Sequence, residues 1–212
     1  MTDQPERMPQ DAAPAVKQGK YKDGTMIAGW FNRRFMRSIA AAVGTGPFSR
    51  VLDIGCGEGI PLLELQPVFG KAELHGIDPD QEAVDLIRRN MPDGHFQKGS
   101  AYELPYADNH FDLVLCLEAL EHMDRPEKAL SEIARVGNGT VILSVPREPW
   151  WGLLNILRFK YLTRLGNPPE HIQRWTRRGF RKLAAGFLDI KKVRTVLPWT
   201  ILESERSGKT ST

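Results

Sequence analysis

Val51-Leu52-Asp53-Ile54-Gly55-Cys56-Gly57-Glu58-Gly59 constrains this chain more than any other stretch. An apolar run carrying one acid and ending in three alternating glycines reads as a buried strand that turns sharply and delivers backbone to a ligand. Glycine has no Cβ and tolerates positive φ, so Gly55, Gly57 and Gly59 let main-chain N–H groups and a helix start approach a small molecule. A nucleotide-like cofactor is the first reading.

The spacing separates two cofactor classes. A dinucleotide loop reads G-x-G-x-x-G, with its acid about 20 residues further on. Here the glycines read G-x-G-x-G and an acid, Asp53, precedes the first of them by two positions. That carboxylate would repel a pyrophosphate, whereas it suits a cofactor that carries an ammonium and no phosphate.

Beyond the loop, apolar runs and amphipathic stretches alternate, which predicts a doubly wound α/β domain with a mostly parallel sheet. A helix is expected over 25–43, strands near 50–54, 72–77, 94–98, 111–116 and 139–145, and helices near 60–68, 80–90 and 126–136. Two further runs, 188–197 and 199–203, are expected to close the sheet as an antiparallel pair. With 212 residues and 41% hydrophobic content the chain can bury one good core. One domain is therefore expected over 25–203, between disordered tails at 1–24, rich in Pro, Gln and Ala, and at 204–212, almost wholly polar. Two cysteines make neither a disulfide framework nor a zinc spacing. The N-terminus has no apolar secretory run, and no stretch of about 18 apolar residues is present, so a cytoplasmic setting is expected.

Four stretches resemble, in order, the motifs of class I S-adenosylmethionine-dependent methyltransferases: Val51 to Gly59, Leu74 to Pro79, Gly99 to Pro105, and Phe111 to Val114. The resemblance covers roughly residues 50–146. It implies a Rossmann-like seven-stranded sheet and S-adenosylmethionine as cofactor. It also implies that Gly55, Cys56, Gly57 and Gly59 lie against the methionine part, with Asp53 nearby, and that Asp78, followed by Pro79, holds both ribose hydroxyls. A carboxylate accepting two O–H donors suits that geometry. The plainer role for Asp78 is a helix N-cap before Pro79. Where the family commonly has Gly-Asp-Ala, this chain has Gly99-Ser100-Ala101, so the adenine contact passes to the Ser100 hydroxyl and Ala101. Leu117 completes the expected cofactor wall, and Arg33 or Arg34 of the first helix could reach the methionine carboxylate, Arg34 being the candidate.

Cys116 to Met123 follows the fourth strand, at the edge where open α/β sheets place their ligands. If 118–123 is helical, Glu118, Glu121 and His122 fall at i, i+3 and i+4 on one face. Two carboxylates and an imidazole suit a divalent cation such as Mg. The Glu-x-x-Glu-His pattern resembles that of the ubiquinone-biosynthesis O-methyltransferases and of small-RNA 2′-O-methyltransferases, where these residues are associated with a metal. The segment Glu170 to Thr176 resembles the piece that adds a further histidine in the RNA enzymes, which implies His171 as fourth ligand. The bland alternative is that the two acids cap a short helix around a half-buried histidine. Without a metal, His122 or His171 is the candidate general base.

An insertion, residues 146–175, separates the fifth strand from the next helix. Its aromatic and leucine-rich blocks alternate with basic residues, and 158–182 holds eight Lys or Arg against one acid. Such a stretch can lie at a bilayer surface, here through 149–165, close as a lid over an apolar acceptor, or pack as ordinary core. The basic residues also admit nucleic acid, but a net charge of +3 makes that the weaker expectation. Three readings follow: a methyltransferase acting on oxygen of a small apolar or phenolic acceptor, a 2′-O-methyltransferase acting on an RNA end, and a non-catalytic protein that uses the fold to bind a membrane or partner.

Overall fold

The computed structural model describes residues 26–150 and 172–207. Within them a helix, α1 (Met26–Val43), precedes the alternating body. The body runs β1 (Arg50–Ile54), α2 (Ile60–Phe69), β2 (Glu73–Asp78), α3 (Gln81–Asn90), β3 (His95–Lys98), β4 (Phe111–Leu117), a 3-10 turn (Leu120–His122), α4 (Pro126–Val136) and β5 (Gly137–Pro146). After the insertion come α5 (Arg177–Ala184), β6 (Leu188–Val196) and β7 (Trp199–Arg206). The expected tail at 1–24, most of the insertion and His171 lie outside the described residues.

The strands form one seven-stranded sheet in the order β3-β2-β1-β4-β5-β7-β6. β1 to β5 are mutually parallel, while β7 runs antiparallel to both β5 and β6. Alternation along the strands divides the core between two faces. Val51, Leu113 and Leu115 pack with Ile39 of α1, Leu62 of α2 and Ile87 of α3. Leu52, Val114 and Cys116 pack on the opposite face with Leu130 and Ile133 of α4 and Phe180 of α5. Strands buried on both faces read as continuous apolar runs, which is why β4 is legible as Phe-Asp-Leu-Val-Leu-Cys-Leu.

The C-terminal tail expected from residue 204 needs correction. Ser204 and Glu205 extend β7 between β5 and β6, and Arg206 continues it against Leu188 of β6. Ser204 is buried and its hydroxyl donates to Val141 O at 2.9 Å. Polarity misled because an inner strand satisfies its backbone whatever its side chains, and Glu205 pairs with Lys191 at 3.1 Å.

Chain order reverses between β1 and β4, since β2 and β3 lie to one side and β5 to the other. Outside the carboxyl ends of these two strands lies the crevice in which open α/β sheets hold ligands.

Candidate functional site

Gly55, Gly57 and Gly59 have φ of 76°, 52° and 82°, which L side chains rarely adopt. Two of them are sterically fixed as well. A Cβ on Gly55 would stand 2.6 Å from that of Ala119, and one on Gly59 would stand 2.4 Å from Ile87 Cδ1. Gly57 differs, because a Cβ there would meet open space. The turn is tied to β2: the N–H groups of Gly55 and Cys56 donate to Ile77 O at 2.8 and 3.2 Å.

Asp78 closes the same corner. Its Oδ2 accepts from Gly57 N–H and its Oδ1 from Asp80 N–H, each at 2.9 Å. Every carboxylate oxygen carries two lone pairs, so both keep capacity for a ligand hydroxyl. The N-cap of α3 is Asp80, which accepts from Glu82 N–H, so capping falls to a neighbour and not to Asp78. Pro79 between them is exposed.

Asp53 is buried, and its Oδ2 has no hydrogen-bond partner among the described residues. Burial first and the Asp78 charge second push its carboxyl up to about 7. A buried oxygen without a donor is costly, and a cation alongside would reverse the shift. Acidity continues along the rim. The buried Cys116 thiol is raised by burial and then by the charges of Asp53, Glu121 and Glu118, which therefore gather around the end of β4. Burial also raises the Cys56 thiol, which excludes it as a thiolate nucleophile at neutral pH.

Ser100 follows β3, is exposed, and accepts Tyr102 N–H through its hydroxyl at 3.2 Å. Half-buried Ala101 lies beside it. Their loop is clamped by Arg135, which reaches Leu104 O, Tyr106 O and Asp108 while holding both oxygens of Glu132. Leu117 is buried at the end of β4. Arg34 is not gathered with these residues; it is exposed on α1 with its guanidinium 5.4 Å above the Trp30 ring.

The helical face expected for Glu118, Glu121 and His122 does not form. Glu118 stands outside any helix with φ 53°, and the 3-10 turn begins only at Leu120. Its carboxylate accepts from Ser144 Oγ at 3.0 Å and from Trp199 Nε1 at 2.7 Å. Strain at a non-glycine residue on the crevice rim is a device of functional sites. Glu121 is buried in the 3-10 turn, with His122 Nε2 3.9 Å from its Oε1. The Glu121 carbonyl accepts from Ile172 and Gln173 N–H at 2.9 and 3.0 Å, fastening the chain that returns from the insertion.

Sequence reasoning missed Ser144 and Trp199, whose contacts with Glu118 span 26 and 81 residues and leave no local spacing to read. It also passed over Glu58, whose buried Oε2 has no hydrogen-bond partner among the described residues, although that residue sits between two of the glycines. A cleft of about 580 Å³ opens beyond β5, lined by Arg147, Arg177, Arg178, Arg181, Trp150, Thr176 and Glu148. Four guanidinium groups against one carboxylate make it basic where the neighbouring rim is acidic.

A family profile described as a methyltransferase domain matches residues 52–143, which hold the glycine turn, Asp78, Ser100 and Glu118. Residues 52–143 thus form a methyltransferase domain of the class I S-adenosylmethionine-dependent kind. Among methyltransferase relatives, a demethylmenaquinone methyltransferase of Renibacterium salmoninarum is 32% identical over 135 residues, 62% of this chain and 56% of that protein. A fatty-acid O-methyltransferase of Mycolicibacterium smegmatis is 36% identical over 89 residues, 41% of this chain and 32% of that protein. The chain thus spans from about a third to about half of these relatives' lengths. The solved structure of YcgJ from Bacillus subtilis superposes with a TM-score of 0.62 at 26% identity, covering 77% of this chain and 71% of the other.

Proposed function

We propose that this chain methylates an oxygen of a small apolar or phenolic acceptor, with S-adenosylmethionine as donor. The single observation that carries the donor half is Asp53, a buried carboxylate with an unpartnered oxygen at the end of a glycine turn whose middle residue faces open space. Bound there, the cofactor supplies a sulfonium-activated methyl group. Asp53 offers its charge to the cofactor's ammonium, Asp78 offers its remaining lone pairs to the ribose hydroxyls, and Ser100 with Ala101 borders the adenine.

The acceptor side rests on different groups. Methyl transfer is an in-line displacement, so the protein must align the acceptor oxygen and keep water out. His122, next to Glu121 and partly exposed, is our candidate general base for the acceptor's proton. A divalent cation such as Mg would draw on Glu121, His122 and His171, while Glu118 is already held by Ser144 and Trp199. The basic cleft supports an acceptor with a phenolate or carboxylate end. Two matched relatives point the same way, one named for demethylmenaquinone and one for fatty acids. Among the described residues no helix is long and apolar enough to cross a membrane, and contact through 149–165 remains a proposal resting on composition.

Calorimetric titration with S-adenosylmethionine tests the donor half. Wild type is expected to bind and Asp53→Asn to bind at least tenfold more weakly; absence of binding by wild type would leave the fold as a non-catalytic scaffold. Radiolabelled methyl transfer to phenols, quinols, fatty acids and short RNAs, with and without chelator, tests the acceptor half. Labelling of RNA alone would overturn the small-molecule reading.

A further inference from the structure

At the amino ends of the strands, opposite the crevice, Glu73, His75 and His95 bring one ligand atom each to within 4.8 Å of one another. Their backbone positions follow from the sheet. Glu73 and His75 lie two apart on β2 and so share one face, and His95 opens β3 in direct register with His75. The two imidazoles stack with centroids 4.8 Å apart, and Glu73 Oε1 lies 3.2 Å from His75 Nε2 and 3.1 Å from His95 Nε2.

The directions of these groups matter more than their closeness. His75 is nine-tenths buried, held edge-on by Tyr106 and Phe111, and its Nε2 has no hydrogen-bond partner among the described residues despite the carboxylate 3.2 Å away. The nitrogen therefore lies within ion-pair distance of the carboxylate but out of line for an N–H···O bond. Ligands of one metal ion behave in this way, because their lone pairs aim at a shared third point. The two carboxylate–imidazole separations agree with this, since ligands about 2.0–2.1 Å from a tetrahedral zinc stand roughly 3.3–3.4 Å from each other, and the two imidazoles need only close to that spacing from within 4.8 Å. Arg50, in register with Glu73, does not compete for the carboxylate, since its guanidinium lies 3.2 Å from His110 Nδ1.

We propose that Glu73, His75 and His95 form a site for a zinc-class divalent ion, with a fourth position left to water. Two imidazoles and one carboxylate select a borderline transition ion over Mg or Ca, which prefer all-oxygen sets. Such an ion would staple the short edge strand β3 to β2. β3 leads directly to Ser100 and Ala101, so the staple would steady the loop assigned to the adenine without touching the crevice.

The test uses the full, tag-free chain after chelator treatment and desalting, titrated calorimetrically with zinc chloride and, separately, examined by absorption with cobalt(II). Wild type is expected to take one equivalent, to show the visible bands of tetrahedral cobalt, and to melt at a higher temperature with zinc. His95→Ala and Glu73→Gln change exposed side chains and should leave the far-ultraviolet circular dichroism intact. Each is expected to weaken zinc binding at least about tenfold and to abolish the thermal shift. Glu121→Gln with His122→Ala should leave the equivalent in place, which separates this site from the acceptor-side cation set. No binding by wild type, binding unchanged in both single variants, or an equivalent lost only in the Glu121/His122 variant would each overturn the proposal.

Discussion

The two sides of the crevice are built by different means. On the side we propose for the donor, Asp53, the three glycines and Asp78 all fall between positions 53 and 78, and consecutive strands carry them to one point. On the side we propose for the acceptor, Glu118 depends on Ser144 and Trp199, and Glu121 on Ile172 and Gln173, across separations the chain closes only by folding. The difference teaches where tolerance lies. A local turn with positive φ and no room for a Cβ admits few substitutions, whereas an assembled hydrogen-bond set degrades one partner at a time.

The largest effect is expected at the turn. Gly55→Val forces a β-branched residue into φ 76° and drives a Cβ to 2.6 Å from that of Ala119. A loss of roughly 3–5 kcal/mol from the strain and overpacking together, read by urea denaturation, should accompany loss of cofactor binding. Gly57→Ala meets open space and should keep most of the stability while still weakening the cofactor. Equal stability losses for the two variants would break the distinction between a packed glycine and a ligand-facing one.

Asp53 gives the next effect, and its sign is unusual for an acid. Its pKa is raised from 3.8 to about 7, so the folded protein holds that proton more tightly than the unfolded chain. The stabilising contribution is fully present below about pH 4 and is lost as pH rises through about 7, a change of a few kcal/mol at most. Denaturation of the cofactor-free protein should therefore show a downward slope from Asp53 between those limits. Asp53→Asn should flatten it while costing cofactor affinity. A slope unchanged by the substitution would place the carboxylate in better-solvated surroundings.

How much of this was legible follows from the same contrast. The order of strands and helices could be read because doubly buried strands are continuous apolar runs and α3 and α4 carry clear amphipathic periods. The place of Asp78 at the end of β2 could be read because strand and turn lengths fix it. Glu118 could not, since a helical spacing of i, i+3, i+4 assumes that the chain enters a helix at once, and the chain instead passes through φ 53° to meet Ser144 and Trp199. Ser204 to Arg206 were misread for a related reason, because composition reports burial of side chains and not the backbone pairing that an inner strand receives. Glu73, His75 and His95 went unread because their convergence depends on the register of β3 against β2.

Trp199→Phe probes the acceptor side with a smaller change. It keeps a six-membered ring beside Phe35, 4.7 Å from the indole between centroids, and removes the indole N–H from Glu118 Oε2 together with the five-membered ring that carries it. A loss of about 1–3 kcal/mol is expected, that of a hydrogen bond to a charged group, with S-adenosylmethionine affinity held within about threefold of wild type. Acceptor turnover should fall as Glu118 relaxes. If cofactor affinity fell as far as it does in Asp53→Asn, the two sides would be one coupled unit and the contrast between them would not stand.

The smallest effect is expected at the clamp on the loop that links the sides. Arg135 lowers the Glu132 pKa, chiefly through its hydrogen bonds, and Leu104 N–H adds to this. A depressed acid stabilises the fold above its unfolded pKa, near 4.5, and the benefit is lost as pH falls through the lower folded value. Glu132→Gln should therefore cost about 1–2 kcal/mol near neutrality and progressively less below pH 4.5, opposite in sense to Asp53. Because the clamp holds Leu104 and Tyr106 rather than Ser100 itself, cofactor affinity should drop only a few-fold. A larger loss of affinity than of stability would mean that this loop is positioned from its far end, and that the donor side too relies on a long-range contact.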